Sequence, residues 1–204
     1  MVERQLRRRG VDDERVLAAM RRVPRELFVP AQLRHAAYDD SALPIGHGQT
    51  ISQPYIVATT LALLSLRGGE RVLDVGTGSG YAACLLAELA AEVVSVERIP
   101  ELAASAVEAL AAAGHPEVDV RVGDGSLGVS DRAPYDAIAV AAAVPEIPAA
   151  LMEQLSADGR LVLPRGTRRG QRLLLVERHG ESVVERAAFS CRFVPLLGAD
   201  AFQP

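Results

Sequence analysis

The sequence predicts an α/β protein: a mostly parallel, doubly wound sheet, preceded by a helical N-terminal extension and closed at its C-terminal end by an antiparallel hairpin. Three observations carry this. Between Arg71 and Leu163, short β-branched runs alternate with alanine- and leucine-rich segments, the order expected of parallel strands covered by helices. The first of these strands breaks into glycines at alternate positions, Gly76, Gly78 and Gly80, and restarts as a helix at Tyr81. After Pro164 the alternation gives way to two β-patterned runs, Arg172–Arg178 and Ser182–Phe193, around His179-Gly180. At 204 residues and 49% hydrophobic, the chain is sized for one domain with a substantial core. Within residues 1–204, that domain divides into N-terminal helices and a loop (1–55), the alternating core (56–164) and closing strands (165–204).

Taken in order, Met1 to Gly10 reads as a helix ended by its glycine, and Asp12 as the N-cap of a second helix running to Arg22 with Val16, Leu17 and Met20 on one face. Pro24 stops it. Arg25 to Tyr38 reads as helical turns punctuated by Pro30, and the Arg7-Arg8-Arg9 cluster as a solvated helix face. Asp39 to Tyr55 holds Pro44, Gly46, Gly48 and Pro54 and is read as an irregular loop, a setting more often functional than idle. Ile56 to Leu66 is an apolar helix before the turn Arg67-Gly68-Gly69. Then follow strand Arg71–Val75, helix Tyr81–Ala91, strand Val93–Glu97, helix Pro100–Ala113, strands Val118–Val122 and Asp136–Ala142, a short helix near Ile147–Leu155, and strand Gly159–Leu163.

Composition narrows the function classes. All 22 basic residues are arginine and the net charge is −4, which argues against a general nucleic-acid binder. Cys84 and Cys191 sit in apolar surroundings and read as buried free thiols. With no signal peptide and no long apolar run, the expectation is a cytoplasmic protein that neither crosses nor binds a membrane. His35, His47, His115 and His179 have no metal-ligand spacing, so no metal is expected; His115 and His179 are placed in exposed turns.

The strand–glycine–helix junction, residues Asp74, Gly76, Thr77, Gly78, Ser79 and Gly80, is a nucleotide-type cofactor site, because glycine lets a ligand approach the backbone and a helix start offers free N–H groups. The spacing Gly-x-Gly-x-Gly differs from the dinucleotide fingerprint, whose last two glycines are two residues apart. No Gly-Lys-Ser/Thr follows, as a phosphate loop would require. Asp74 suits a ligand carrying an ammonium or sulfonium group better than a pyrophosphate. Glu97, followed by Arg98, ends the second strand where a carboxylate can accept from both ribose hydroxyls. Asp124, with Gly125, follows the third strand where an adenine amino group could be read. Together these residues predict S-adenosyl-L-methionine, with S-adenosyl-L-homocysteine as product; a nicotinamide dinucleotide is disfavoured by the spacing and by Asp74. The fold is then a Rossmann-like S-adenosylmethionine-dependent methyltransferase fold.

The stretch Leu43-Pro44-Ile45-Gly46-His47-Gly48-Gln49-Thr50-Ile51-Ser52-Gln53-Pro54-Tyr55 closely resembles the signature of protein-L-isoaspartate (D-aspartate) O-methyltransferases. The resemblance spans nearly the whole chain, including Val23–Pro30, Tyr38-Asp39-Asp40, Ser95–Arg98, Gly123-Asp124-Gly125, Pro134–Ile138, Pro145–Pro148, Leu161–Pro164 and Arg192–Leu196. It implies that Ser52 is the active-site residue, that Gln49, Thr50 and Ile51 line the substrate site, and that Val194 and Pro195 contact substrate. It further implies an enzyme acting on isoaspartyl peptides and proteins, expected to work as a monomer. His47, Ala141 and Val144 depart from the family pattern and are expected to tune the pocket. The chemistry agrees: a carboxylic acid with a pKa near 4 is ionised at neutral pH, so methyl transfer from a sulfonium needs positioning, not a general base. Two other readings stay open on the residues alone: a methyltransferase for an ordinary aspartate or a small molecule, and a scaffold of the same fold.

Overall fold

In the computed structural model, which describes residues 1–203, the N-terminal segment forms a wide π-helical turn at Val2–Leu6 and a tighter 3-10 turn at Arg7–Arg9 that ends at Gly10, φ 88°. Helix α1 spans Glu14–Arg22. Its cap is Asp13 rather than the expected Asp12: Asp13 Oδ1 accepts from the amides of Arg15 (2.9 Å) and Val16 (3.1 Å), two of the free donors of the first turn. Arg7 and Arg9 do not form a free basic patch. Arg7 pairs with Glu3 and Glu14, and Arg9 with Asp40 while lying 3.5 Å over the Tyr55 ring. The helical turns at Arg25–Phe28 and Ala31–Ala36 follow as expected.

Residues 39–55 differ from the expected irregular loop. Strands β1 (Leu43–Gly46) and β2 (Gln49–Ile51) form a hairpin pairing Leu43 with Ile51 and Pro44 with Thr50. Gly46, His47 and Gly48 all take positive φ (93°, 51° and 71°), which folds the strand back on itself. Proline is tolerated in so short a two-stranded ribbon because edge positions need no full ladder.

The core elements are α2 (Pro54–Leu64), β3 (Arg71–Val75), α3 (Tyr81–Ala87), β4 (Glu92–Glu97), α4 (Pro100–Ala112), β5 (Asp119–Val122), β6 (Tyr135–Val140), α5 (Ala149–Gln154), β7 (Leu155–Gly166), β8 (Gln171–His179) and β9 (Ser182–Cys191). Helix α3 is shorter than expected because the Ala91 and Glu92 amides both turn to the Glu70 carbonyl, sending the chain into β4. Seven strands form one sheet in the order β5-β4-β3-β6-β7-β8-β9. The pairs from β5 to β7 are parallel and the last two pairs are antiparallel. The strand order reverses between β3 and β6, so a crevice opens beyond their C-terminal ends, where ligands of open α/β sheets bind.

Alternate residues of the parallel strands feed two cores. Val72, Ala137 and Val162 pack with Leu17 of α1, Leu61 of α2 and Leu85 of α3. Leu73, Ile138 and Leu161 pack with Leu151 of α5 and with Leu196. The second face carries thinner cover than the double winding suggested, since α5 has only six residues. Arg15 ties the N-terminal extension to the core, donating to the Leu66 and Leu89 carbonyls (2.8 and 3.0 Å). His115 is partly buried rather than exposed, held between Glu88 (3.1 Å) and Glu117 (2.9 Å). Cys84 is buried and Cys191 only half-buried; both are free, and burial raises both thiols, to about 12 and about 11.

Candidate active site

The glycine turn leaves β3 with Gly76 at φ 92°, Gly78 at 55° and Gly80 at 88°, values an L side chain rarely adopts. The Gly76 and Thr77 amides donate to the Val96 carbonyl (2.9 and 3.3 Å), pinning the turn to the neighbouring strand β4. At the end of β4, Glu97 accepts from the Gly78 amide (2.9 Å) through Oε2 and from the Ile99 amide (3.0 Å) through Oε1. The carboxylate therefore fixes the turn and still has lone pairs to offer.

A cavity lies over this junction, lined by Gly76, Thr77, Gly78, Ser79, Glu97, Arg98 and Gly125 on one side and by Gln49, Thr50, Ile51, Ser52, Val194 and Pro195 on the other. Every residue expected to bind substrate, and seven of those expected at the cofactor, thus line this one cavity. Sequence reasoning missed Tyr81, Ala82, Ile99, Ala142, Leu196 and Leu197. Tyr81 and Ala82 directly follow the glycines and Ile99 follows Glu97, so adjacency was the available signal. Of the three departures from the family pattern, Ala141 is on the wall, Val144 is buried in the core, and His47 is at the exposed hairpin tip.

Three expected cofactor residues are not on this wall. Gly80 packs helix on helix: a Cβ there would meet Ala106 Cβ and Leu110 Cγ at 3.3 Å. Asp74 is wholly buried beneath the turn, where Oδ2 accepts from Ser95 Oγ (2.7 Å), which in turn lies 2.5 Å from Thr77 Oγ1. Its Oδ1 has no partner, and burial pushes the carboxyl up to about 6, against the Ser95 bond and with help from the charge of Glu97. Asp124 faces the C-terminal segment: its oxygens accept from the Ser126 amide (2.9 Å), Ser126 Oγ (2.7 Å) and the Ala199 amide (2.7 Å). Partial burial raises its pKa, but these donors outweigh it and hold the carboxyl below its usual range.

The hairpin reaches the turn directly, because a Cβ on Gly78 would meet Ile45 Cδ1 at 3.4 Å. The opposite wall is fixed by pairing across the crevice: the Ala143 amide donates to the Val194 carbonyl (2.8 Å) and the Leu196 amide to the Ala143 carbonyl (2.7 Å). A second cavity adjoins the first, lined by Asp40, Ser41, Gln53, Ile56, Arg192 and Phe193, among others. Thr50, Ser52, Ala141 and Val194 line both cavities.

A parallel sheet with a glycine turn after its first core strand, and a buried-edge carboxylate after the next, defines an S-adenosylmethionine-dependent methyltransferase. The glycine cradle and the spare acceptor capacity of Glu97 suit such a ligand, and the unsatisfied Asp74 Oδ1 lies where a nearby positive charge is favourable. The family described as protein-L-isoaspartate(D-aspartate) O-methyltransferase (PCMT) matches residues 1–201. The chain is 56% identical over 204 residues to protein-L-isoaspartate O-methyltransferase 2 of Marinobacter nauticus, covering 99% of this chain and 93% of that one. It is 57% identical over 204 residues to the protein-L-isoaspartate O-methyltransferase of Methanoculleus marisnigri, covering 100% and 92%. Among solved structures, one protein-L-isoaspartate O-methyltransferase superposes with a TM-score of 0.87 at 29% identity, covering 98% of this chain and 67% of that one. A Plasmodium falciparum chain assigned the same activity, solved in complex with S-adenosyl-L-homocysteine, superposes with a TM-score of 0.83 at 25% identity, covering 95% of each. The chain belongs to the protein-L-isoaspartate O-methyltransferase family, and transfers a methyl group from S-adenosylmethionine to isoaspartyl residues of damaged proteins.

Proposed function

We propose that Ser52 and Thr50 hold the free carboxylate of the isoaspartyl residue at the junction of the two cavities, with the peptide occupying the second cavity and Val194 and Pro195 closing over it. The observation that carries this reading is that Thr50 and Ser52 line both cavities. Among the described residues, no protein group within hydrogen-bonding distance engages either hydroxyl, which leaves both free for an acceptor. Gln49 and Ile51 shape the same wall. On the donor side, Gly76 to Ser79 and Gly125 let the ligand approach the backbone, Glu97 accepts from its ribose, and Arg98 flanks it. Asp74 acts from beneath the turn, and Asp124 through the segment it holds behind Gly125.

When bound, S-adenosylmethionine supplies a methyl group on a sulfonium and departs as the neutral thioether. The carboxylate oxygen forms the new bond to carbon as the carbon–sulfur bond breaks and its electron pair returns to sulfur. No proton moves, so the residues need only align the acceptor and exclude water; good alignment is worth up to ~7–11 kcal/mol. The hydroxyls of Ser52 and Thr50 donate to the carboxylate without attacking anything. The neighbouring main-chain nitrogen then attacks the ester carbonyl, the carbon–methoxy bond breaks and methanol leaves with the nitrogen's proton, giving a succinimide whose hydrolysis returns some normal aspartate.

No metal is needed in this scheme, and among the described residues no three of His, Cys, Asp and Glu come together as a metal site. We take the enzyme to be a cytoplasmic monomer that acts on proteins and neither on nucleic acid nor at a membrane. The net charge of −4 supports the exclusion of nucleic acid, and no helix among the described residues is long and apolar enough to cross a membrane. Labelled methyl should pass to an isoaspartyl peptide as a base-labile ester and not to its normal aspartyl twin. Ser52→Ala should lower kcat/KM for the isoaspartyl peptide by about tenfold or more, the cost of losing a bond to a charged group, with S-adenosylhomocysteine affinity unchanged. Equal labelling of the twins would favour a dedicated aspartyl substrate, and an undiminished kcat/KM would remove Ser52 from its role.

A further inference from the structure

Arg25 is fully buried, yet among the described residues no carboxylate forms an ion pair with it. A guanidinium in that position is costly to desolvate unless its donors are well used. Its Nε donates to the Ala37 carbonyl and its Nη2 to the Ser52 carbonyl, both at 2.8 Å. Its central carbon lies 4.7 Å over the Tyr81 ring. Tyr81 is itself 1% exposed, packs 5.5 Å from Phe28, and opens the helix after the glycine turn. The remaining nitrogen, Nη1, has no partner.

We propose that Arg25 is a positioning residue: its planar fork fastens the main chain at Ser52 to the segment at Ala37, over the fixed ring of Tyr81, and so sets how far the acceptor hydroxyls stand from the methyl donor. The inference rests on the assignment of the acceptor site to the loop at Ser52. Arginine suits this task because its donors point in fixed, coplanar directions, so two carbonyls from separate segments are held at one angle. The ring face beneath it favours a cation and bars rotation out of the plane. A cation touching the substrate carboxylate itself would be a hindrance, since the charges of carboxylate and sulfonium both diminish towards the transition state and such a contact would favour the ground state. Bonding the loop from behind, through a main-chain oxygen, gives order without that contact. The hairpin approaches the glycine turn at Ile45, and Gln53 bonds the Asp40 carbonyl (2.8 Å). Arg25 adds to these a link between the acceptor loop and the donor side through a rigid platform.

The test compares Arg25→Met and Arg25→Lys with the parent in three measurements: steady-state kinetics on an isoaspartyl peptide at saturating donor, calorimetric affinity for S-adenosylhomocysteine, and amide hydrogen exchange. Arg25→Met should raise KM for the peptide by about tenfold or more, with product affinity within about threefold of the parent. Amides of Gln49 to Gln53 should exchange faster, those of Val72 to Val75 unchanged. Arg25→Lys, which keeps the charge and can reach one carbonyl, should recover part of the loss. Unchanged KM and loop exchange in both variants would overturn the proposal. So would a parallel fall in product affinity and in protection across the sheet, which would make Arg25 a support of the whole fold. Should Arg25→Met fail to fold, the lysine variant decides by the same criteria. Because Arg25 bonds a main-chain oxygen that Ser52→Ala retains, failure of the Ser52 assignment would show in that variant alone and leave the Arg25 comparison readable.

Discussion

Asp74 and Asp124, both singled out as donor-site carboxylates, have opposite electrostatic surroundings and should give opposite pH signatures. Asp74 is raised to about 6 from an ordinary 3.8. Between those values the folded state binds more protons than the unfolded one, so stability falls as pH rises and stays lower above about 6. Asp74→Asn should therefore be more stable than the parent at neutral pH, by up to roughly 3 kcal/mol, and unfold at a higher temperature, with the gap shrinking towards pH 4. Asp124 is held below its usual range, so it contributes stability above that range which is lost as pH falls through its folded pKa. Asp124→Asn should lower the melting temperature at neutral pH, and that gap should close in acid. Thermal scans across pH check both, and the same slope for the two variants would contradict the assignment. The glycines and Glu97 were readable because a strand end beside a glycine turn leaves a side chain few places to go. The directions of Asp74 and Asp124 were not readable: one depends on which face of β3 a residue takes, the other on Ala199, 75 positions away.

At the scale of single elements, the third glycine has a different job from the first two. Gly80 closes the turn with its amide on the Thr77 carbonyl (2.8 Å) and lets α3 approach α4. Gly80→Ala combines a positive φ with tight contacts to Ala106 and Leu110, which should cost about 1–3 kcal/mol. Denaturant midpoints should fall while the folded fraction keeps its affinity for S-adenosylhomocysteine; a selective loss of affinity would return Gly80 to the donor wall. The buried strand Arg71–Val75 was read to the residue because its pattern is local. The β1–β2 hairpin was not, because its strands are four and three residues long, too short for alternation to show, and Pro44 hides the first. Asp12 and Asp13 are equivalent in composition, and only the backbone at Asp13, extended with ψ 103°, decided which one caps.

For the whole molecule, the sequence was read correctly where consecutive elements neighbour one another and less well where the chain returns from afar. The parallel pairing from β5 to β7 follows from alternating strands and helices, but the order does not, because β3 takes β6 as a neighbour past β4 and β5. The thin cover of the second face, the pairing of Ala143 with Pro195, and the clasp of Arg15 on Leu66 and Leu89 depend on meetings no short window displays. One of those meetings has a kinetic consequence. Thr50, Ser52, Ala141 and Val194 line both cavities, so on the proposed assignment donor and acceptor enter by separate mouths onto a shared point of reaction. Neither ligand has to leave before the other can exchange. S-adenosylhomocysteine should then compete with the donor but inhibit noncompetitively towards the peptide, and initial-rate plots with product present will show it. Purely competitive lines against the peptide would mean one mouth, not two. With two, a damaged protein can dissociate as its ester while the spent donor is still in place, and the next one can dock behind it.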